Sequence, residues 1–253
     1  MINQLGGTLT YDYEEAGLTE PAFPKWLQGL IGHDYLASVT LVALKYRGVS
    51  DDDLRAVAGL ATLALLDLEG ATVTAAGIKR LNSLTKLTNL YLKGSTCDDE
   101  GLMSLSSLSS MQCLDLRSTQ ITDTGLAALR NMPKLQGLFL SDTRITDGGM
   151  SEFWGLTCLE CLDVSDTDVT DAGLMQLLNC PVLRKLIVSR QVITPATIVK
   201  LKQFPKLKQI CFERTDDWSQ VNADLKQALP GVQIVDNVNA KRRTSKGKTT
   251  SSL

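Results

Sequence analysis

Residues 111–134 read MQCLDLRSTQITDTGLAALRNMPK, and this stretch recurs along the chain without an insertion. It is followed by LQGLFLSDTRITDGGMSEFWGLTC from residue 135 and LECLDVSDTDVTDAGLMQLLNCPV from residue 159. With Val39 as position zero, the same register returns every 24 residues, at Leu63, Leu87, Met111, Leu135, Leu159, Leu183 and Leu207. A fixed period of this length is typical of repeat architectures. We call each unit a coil and number the coils 1 to 8 from Val39.

Each coil predicts a short strand followed by a short helix. Positions three and five are apolar in every coil (Leu114 and Leu116 in coil 4), which is the alternation of a strand with one buried face. Position eleven is usually Ser, Thr or Asp, which are common helix caps. An aspartate often follows at position twelve, where we expect the helix dipole to stabilise it. Apolar residues at positions fifteen, eighteen and twenty-one then form a helical stripe.

The repeat also predicts how the coils are arranged. A unit this small cannot bury its own apolar edge, so neighbouring coils must stack. Stacking aligns the strands in a parallel sheet, and the stack curves around that sheet because helices are wider than strands. The sequence therefore predicts an α/β solenoid, an open horseshoe with a parallel β-sheet on the concave face and short helices on the convex face.

The period also predicts the organisation of the chain. We expect residues 1–38 to form an N-terminal segment with a cap helix at 24–31 (PKWLQGLI). Residues 39–206 are expected to form seven regular 24-residue repeats, and 207–239 a degenerate last repeat with a C-terminal cap. Residues 240–253 (AKRRTSKGKTTSSL) are polar and basic, and we expect a disordered tail.

Composition excludes several classes of protein. The chain of 253 residues is 43 % hydrophobic and 21 % charged, which is ordinary for a globular protein and excludes wholesale disorder. The charge-free runs are shorter than the roughly 18 residues that span a bilayer, and no secretory signal is visible. We therefore expect a cytoplasmic protein with no membrane segment. The tail holds five basic residues, which leaves a formal charge of −7 for residues 1–239 and argues against direct binding to nucleic acid.

The residues that usually carry catalysis or bind metal are sparse. His33 is the only histidine, which excludes zinc held by several imidazoles. Cys158 and Cys161 form a lone CxxC, but Cys161 falls at strand position two rather than at a helix start, where redox pairs usually lie. Cys97 and Cys180 fall at core positions. We therefore expect no enzyme activity, no cofactor and no small-molecule substrate.

The concave face offers the strongest candidate site. Side chains at positions two, four and six project from it, and in the middle coils they alternate between acids, bases and aromatics. Exposed aromatics beside charged groups are common in protein-binding surfaces. We therefore predict that a protein or peptide partner binds Tyr91, Lys93, Asp115, Arg117, Phe139 and Asp163. The alternative is that these neighbouring side chains only pair with one another and bind no partner.

These motifs resemble leucine-rich repeats of the subtype LxxLxLxxTxITDxGLxxLxxL, which occurs in bacterial GALA-like proteins and in eukaryotic F-box proteins. ITDTGL, VTDAGL and the closing LKQALPGVQIV are most similar to short repeat proteins of planctomycete-type bacteria. The resemblance covers the chain from about Leu5 to Val235 and implies a leucine-rich repeat solenoid that acts as a non-catalytic protein-binding scaffold. The alternative that it leaves open is a substrate-recognition subunit of a larger complex such as a ubiquitin ligase, although no segment resembles an F-box.

Overall fold

The computed structural model describes residues 8–11, 39–46, 48–212 and 219–236. The expected cap helix at 24–31, His33 and the basic tail at 240–253 lie outside this part of the chain. Within it, the strands form one sheet in which they lie side by side in chain order. They are β1 Thr8–Tyr11, β2 Val39–Ala43, β3 Leu65–Asp67, β4 Asn89–Tyr91, β5 Cys113–Asp115, β6 Gly137–Phe139, β7 Cys161–Asp163, β8 Lys185–Val188, β9 Gln209–Phe212 and β10 Gln233–Asp236.

Strands β2 to β10 are parallel, and each residue pairs with the residue 24 positions further along the chain. Leu66 of β3 pairs with Leu90 of β4, for example, and Gln209 of β9 pairs with Gln233 of β10. The pairing register is therefore the sequence period itself. The predicted fold class, an α/β repeat solenoid with a parallel sheet and short helices, is confirmed.

Short helices follow the strands as predicted, and several of them are 3₁₀ rather than α. The α-helices span Asp53–Ala58, Ala75–Lys79, Asp99–Ser104, Asp171–Leu174, Pro195–Leu201 and Ser219–Ala228, and the 3₁₀ helices span Arg80–Ser83, Gly125–Asn131, Gly149–Phe153, Met175–Asn179 and Arg190–Val192. In coil 4 the buried side chains of Leu126, Leu129 and Met132 are three residues apart. That spacing matches the three residues per turn of a 3₁₀ helix.

The core is a column of aliphatic side chains between the sheet and the helices. Leu114 and Leu116 of coil 4 are fully buried, as are their equivalents in the coils on either side. Threonine at position eight closes the turn after the strand, because the buried hydroxyls of Thr119 and Thr143 donate to the carbonyl oxygens three residues earlier at 2.6 Å. This contact explains the recurring threonine of the sequence motif.

The aspartates at position twelve link one coil to the next. Each accepts a hydrogen bond from the backbone N–H of the threonine at position eleven of the following coil, at 2.7–2.8 Å, and another from its hydroxyl at 2.5–2.6 Å. We call these contacts the Asp–Thr ladder; its rungs are Asp51–Thr74, Asp99–Thr122, Asp123–Thr146 and Asp147–Thr170. Stabilisation of these aspartates by the helix dipole stays a prediction, and the contacts show that their carboxylates bind the neighbouring coil.

Two junctions between coils replace the rung with other contacts. In coil 2 position twelve is Ala75, and in coil 3 the side chain of Asp98 caps its own helix by accepting from the N–H of Gly101 at 3.0 Å. In coil 6 the carboxylate of Asp171 accepts from Lys200 at 3.0 Å. Thr194 of coil 7 then forms a capping box with Thr197. The ladder is therefore continuous only from coil 3 to coil 6.

The first strand was not predicted from the period. β1 pairs antiparallel with β2, with Thr8 opposite Ala43 and a register shift between Thr10 and Tyr11. It covers the edge of β2, where unpaired backbone groups would otherwise invite association with another strand.

Candidate functional site

The middle of the concave face brings the predicted residues together. Along position four, Asp67, Tyr91, Asp115, Phe139, Asp163 and Ile187 occupy six successive strands and pair with one another in order. Carboxylates and large apolar side chains therefore alternate across the sheet. Lys93 and Arg117 follow two residues after Tyr91 and Asp115, on the same face. This arrangement is the candidate site.

The three carboxylates of this row are held by their own strands. Oδ1 of Asp67, Asp115 and Asp163 accepts the backbone N–H two residues later, at 3.0, 3.1 and 3.0 Å. Asp115 is 4 % exposed and Asp163 is 2 % exposed, which differs from the expectation that they project toward a partner. Asp163 also accepts from the hydroxyl of Ser165 at 2.6 Å. These two aspartates position their neighbours rather than offering an open surface.

Asp115 fixes the guanidinium of Arg117. Nε of Arg117 lies 2.9 and 3.1 Å from the two carboxylate oxygens, and Nη2 lies 2.5 Å from Oδ2. The guanidinium carbon lies 5.4 Å from the centre of the Phe139 ring, within the range of a cation–π contact. Such fork-shaped pairing gives geometric specificity as well as energy. The site therefore presents a cation whose orientation is set before anything binds.

The Phe139 ring lies beside Gly137. A Cβ at residue 137 would lie 3.4 Å from Cε2 of Phe139 and 3.6 Å from Sγ of Cys113. These are ordinary van der Waals distances, so the ring packs directly beside the backbone of Gly137. The result is a half-buried aromatic surface beside the fixed guanidinium of Arg117.

A second charged cluster lies in coils 1 to 3, and sequence reasoning missed two of its members. The Tyr46 hydroxyl donates to Glu69, and Nζ of Lys93 lies 3.2 Å from Glu69 Oε1. The hydrogen bond to Glu69, with burial, raises the pKa of Tyr46 to about 12. Burial acts to raise the pKa of Glu69, but the hydrogen bonds from Tyr46 and Lys93 outweigh it and lower that pKa. The sequence signal was a tyrosine at position seven, beside the position-six acid of the next coil.

The cysteines have no arrangement suited to redox or metal chemistry. All six are free thiols, and Cys158 is exposed whereas Cys161 is half-buried. Burial raises the pKa of Cys161 to about 11, which disfavours the reactive thiolate. Within the described residues, no group of three or more His, Cys, Asp or Glu side chains is placed to hold a metal ion. The same part of the chain contains no helix with the length and apolar character needed to cross a bilayer.

Comparisons with known proteins agree with this architecture. A family model described as Leucine rich repeat matches residues 109–169, which are the coils with the most regular motif. The fold of the chain is that of a leucine-rich repeat solenoid. A crystal structure of an internalin from Listeria monocytogenes is similar to this chain, with a TM-score of 0.55 and 18 % sequence identity. The match covers 83 % of this chain and 66 % of the internalin chain. No curated protein matched the sequence.

Proposed function

We propose that this leucine-rich repeat protein is a non-catalytic scaffold that binds a protein or peptide partner on its concave face. The observation that carries the proposal is the Arg117 guanidinium, held by Asp115 against the Phe139 ring. Arginine and aromatic residues are enriched in the centres of protein interfaces. A guanidinium that is oriented in advance loses little entropy on binding.

The basic side chains of the site are more exposed than their acidic partners, which supports this proposal. The side chain of Lys93 is 36 % exposed and that of its partner Glu69 is 19 % exposed. The side chain of Arg117 is 33 % exposed and that of Asp115 is 6 % exposed. A partner would therefore meet the cations first, with Tyr91 and Phe139 beside them. Asp115 and Asp163 contribute by holding this surface in place.

The test starts with affinity capture on the full chain from a lysate of the source organism, followed by mass spectrometry. The dissociation constant of a captured partner is then measured with wild type and with Arg117→Ala, Phe139→Ala and Met103→Ala. Interface hot spots contribute about 2 kcal/mol or more, so each concave variant is expected to weaken binding more than about tenfold. Met103, which is exposed on the convex face, is the matched control. Equal affinity for all four proteins would overturn the proposal.

Asp115→Asn separates positioning from direct contact. An amide retains an oxygen for the backbone N–H of Arg117 but loses the charge that holds the guanidinium. We expect this variant to weaken partner binding while the chain stays folded. The same capture experiment addresses the ubiquitin-ligase alternative, since a ligase adaptor among the bound proteins would favour it.

A further inference from the structure

Acidic and basic side chains lie on opposite edges of the solenoid. Positions seven to thirteen follow the strands, and from residue 46 to residue 196 they carry eleven carboxylates and three arginines. Positions nineteen to twenty-three of one coil precede the strand of the next coil, as do positions zero and one of that next coil. From residue 58 to residue 208 they carry seven basic residues and one glutamate. Because β2 to β10 are parallel, the described members of the two sets occupy opposite edges. We call the second one the basic edge.

Most of the basic edge is not neutralised within the described residues. Its basic members are Lys86, Arg130, Lys134, Arg184, Lys202, Lys206 and Lys208. Arg130 pairs with Glu152 and Arg184 pairs with Glu160. The five lysines are exposed, and none forms an ion pair with another described residue. The edge therefore carries a net positive charge that faces solvent.

Two large apolar side chains protrude in the middle of this edge. Trp154 is 75 % exposed and Leu178 is 40 % exposed, and both occupy position nineteen, in adjacent coils. The equivalent residue is Arg130 in the coil before and Lys202 in the coil after. Lys134 and Lys206 lie four residues further along coils 4 and 7. We call these six residues the basal patch.

We propose that the basal patch docks the protein on an anionic phospholipid surface. The basic edge extends over coils 2 to 8, which at about 4.8 Å per strand is roughly 30 Å, so its charge matches an extended anionic surface. Tryptophan and leucine flanked by lysines form the combination that inserts at the boundary between lipid headgroups and acyl chains. The lysines attract the headgroups while their alkyl stems cover apolar surface.

A nucleic-acid partner accounts for fewer features of the basal patch than a lipid surface does. A nucleic-acid duplex would attract the lysines but offers little to the protruding Leu178. The acids of the opposite edge would be repelled by an anionic bilayer, so they orient the molecule with the basal patch toward it. The basic composition of residues 240–253 supplies a second electrostatic attraction, and stable membrane attachment generally requires two signals.

The test uses the full chain and sedimentation with vesicles of equimolar phosphatidylserine and phosphatidylcholine. We expect binding to these vesicles, weakening as salt rises, and much less binding to pure phosphatidylcholine. The double variant Lys202→Glu/Lys206→Glu is expected to bind at least about tenfold more weakly. Trp154→Ser is expected to reduce binding severalfold. Met103→Ser, an exposed apolar position in coil 3, is the matched control and is expected to bind like wild type.

Two further measurements decide between the sources of attraction. A variant with Lys241, Arg242 and Arg243 changed to Ser is expected to retain binding that still depends on Trp154. Dependence on the tail alone, with no effect of the Lys202 and Lys206 reversals, would overturn the proposal. So would failure to bind phosphatidylserine vesicles, or binding to duplex DNA that equals vesicle binding and ignores Trp154→Ser. Circular dichroism of each variant establishes that it is folded.

Discussion

A methyl group on Gly77 would overlap the carboxylate of Asp51, which belongs to the preceding coil. The glycine at position fourteen of the later coil has the same relationship to the aspartate at every rung of the Asp–Thr ladder, with the added Cβ closer than 3.0 Å to an aspartate oxygen. At the junction of coils 6 and 7 the glycine is replaced by Thr197, and Asp171 binds Lys200 instead. An aspartate that forms a rung thus requires glycine at position fourteen of the next coil.

This coupling predicts a conditional effect of Gly77→Ala. In the wild-type chain we expect the free energy of unfolding to fall by about 1–3 kcal/mol, because the new methyl group displaces the carboxylate of Asp51. In an Asp51→Ala background the same substitution is expected to be neutral or stabilising by up to about 1 kcal/mol, since alanine favours helix over glycine. Urea unfolding of the four proteins measures the coupling.

Gly101→Ala is the control for that cycle. The nearest atom to its added methyl group is the flexible end of Ile78, at 2.9 Å, and position twelve of the preceding coil is Ala75. We expect a smaller cost that does not change with residue 51. If Gly77→Ala cost the same with and without the Asp51 carboxylate, the steric account of the ladder would be wrong.

Acid is expected to weaken the first rung of the ladder. Hydrogen bonds from the hydroxyl and the N–H of Thr74 lower the pKa of Asp51 below its ordinary value. A lowered folded-state pKa contributes stability that is present above the unfolded-state pKa of about 4 and is lost as pH falls through the folded-state value. The difference in unfolding free energy between wild type and Asp51→Ala is therefore expected to shrink below about pH 4. A difference that stays constant from pH 7 to pH 2 would exclude this linkage.

The sequence predicted the fold because the fold is one period repeated. Apolar residues such as Leu114 and Leu116 mark the buried face, and pairing at a separation of 24 follows once the coils stack. The Asp–Thr ladder was not predicted, because a repeat shows which residues recur but not which neighbouring coil they contact. A signal was present in the sequence: glycine follows aspartate by 26 residues, as in Asp51 and Gly77. At the junction of coils 6 and 7, where no rung forms, Thr197 takes the place of glycine.

The location of the candidate site was predictable from the sequence, but the burial of its side chains was not. Alternation along position four identified Tyr91, Asp115, Phe139 and Asp163 as neighbours on one face, and the strand pairing agrees. Exposure could not be deduced, because it depends on whether a neighbouring side chain folds over the carboxylate.

Asp67 is expected to destabilise the folded protein at neutral pH. Burial raises the pKa of its carboxyl above the ordinary value, because the charged form is poorly solvated. A raised folded-state pKa of an acid means that stability falls as pH rises from the unfolded-state value through the folded-state value. Asp67→Asn retains an oxygen for the N–H of Glu69 and is expected to raise the free energy of unfolding at pH 7, but not at pH 3. A variant that is less stable than wild type at pH 7 would contradict this account.

Thiol reactivity should single out Cys158. It is exposed, whereas burial raises the pKa of Cys97 to about 12 and that of Cys180 to about 11. Reaction of the native protein with a disulfide reagent at pH 8 is therefore expected to show one fast thiol, with all six reacting after denaturation, since the thiolate is the nucleophile. Cys158→Ser is expected to remove the fast phase and Cys161→Ser to retain it. A fast phase that survives Cys158→Ser would show that a strand cysteine is more accessible than its burial implies.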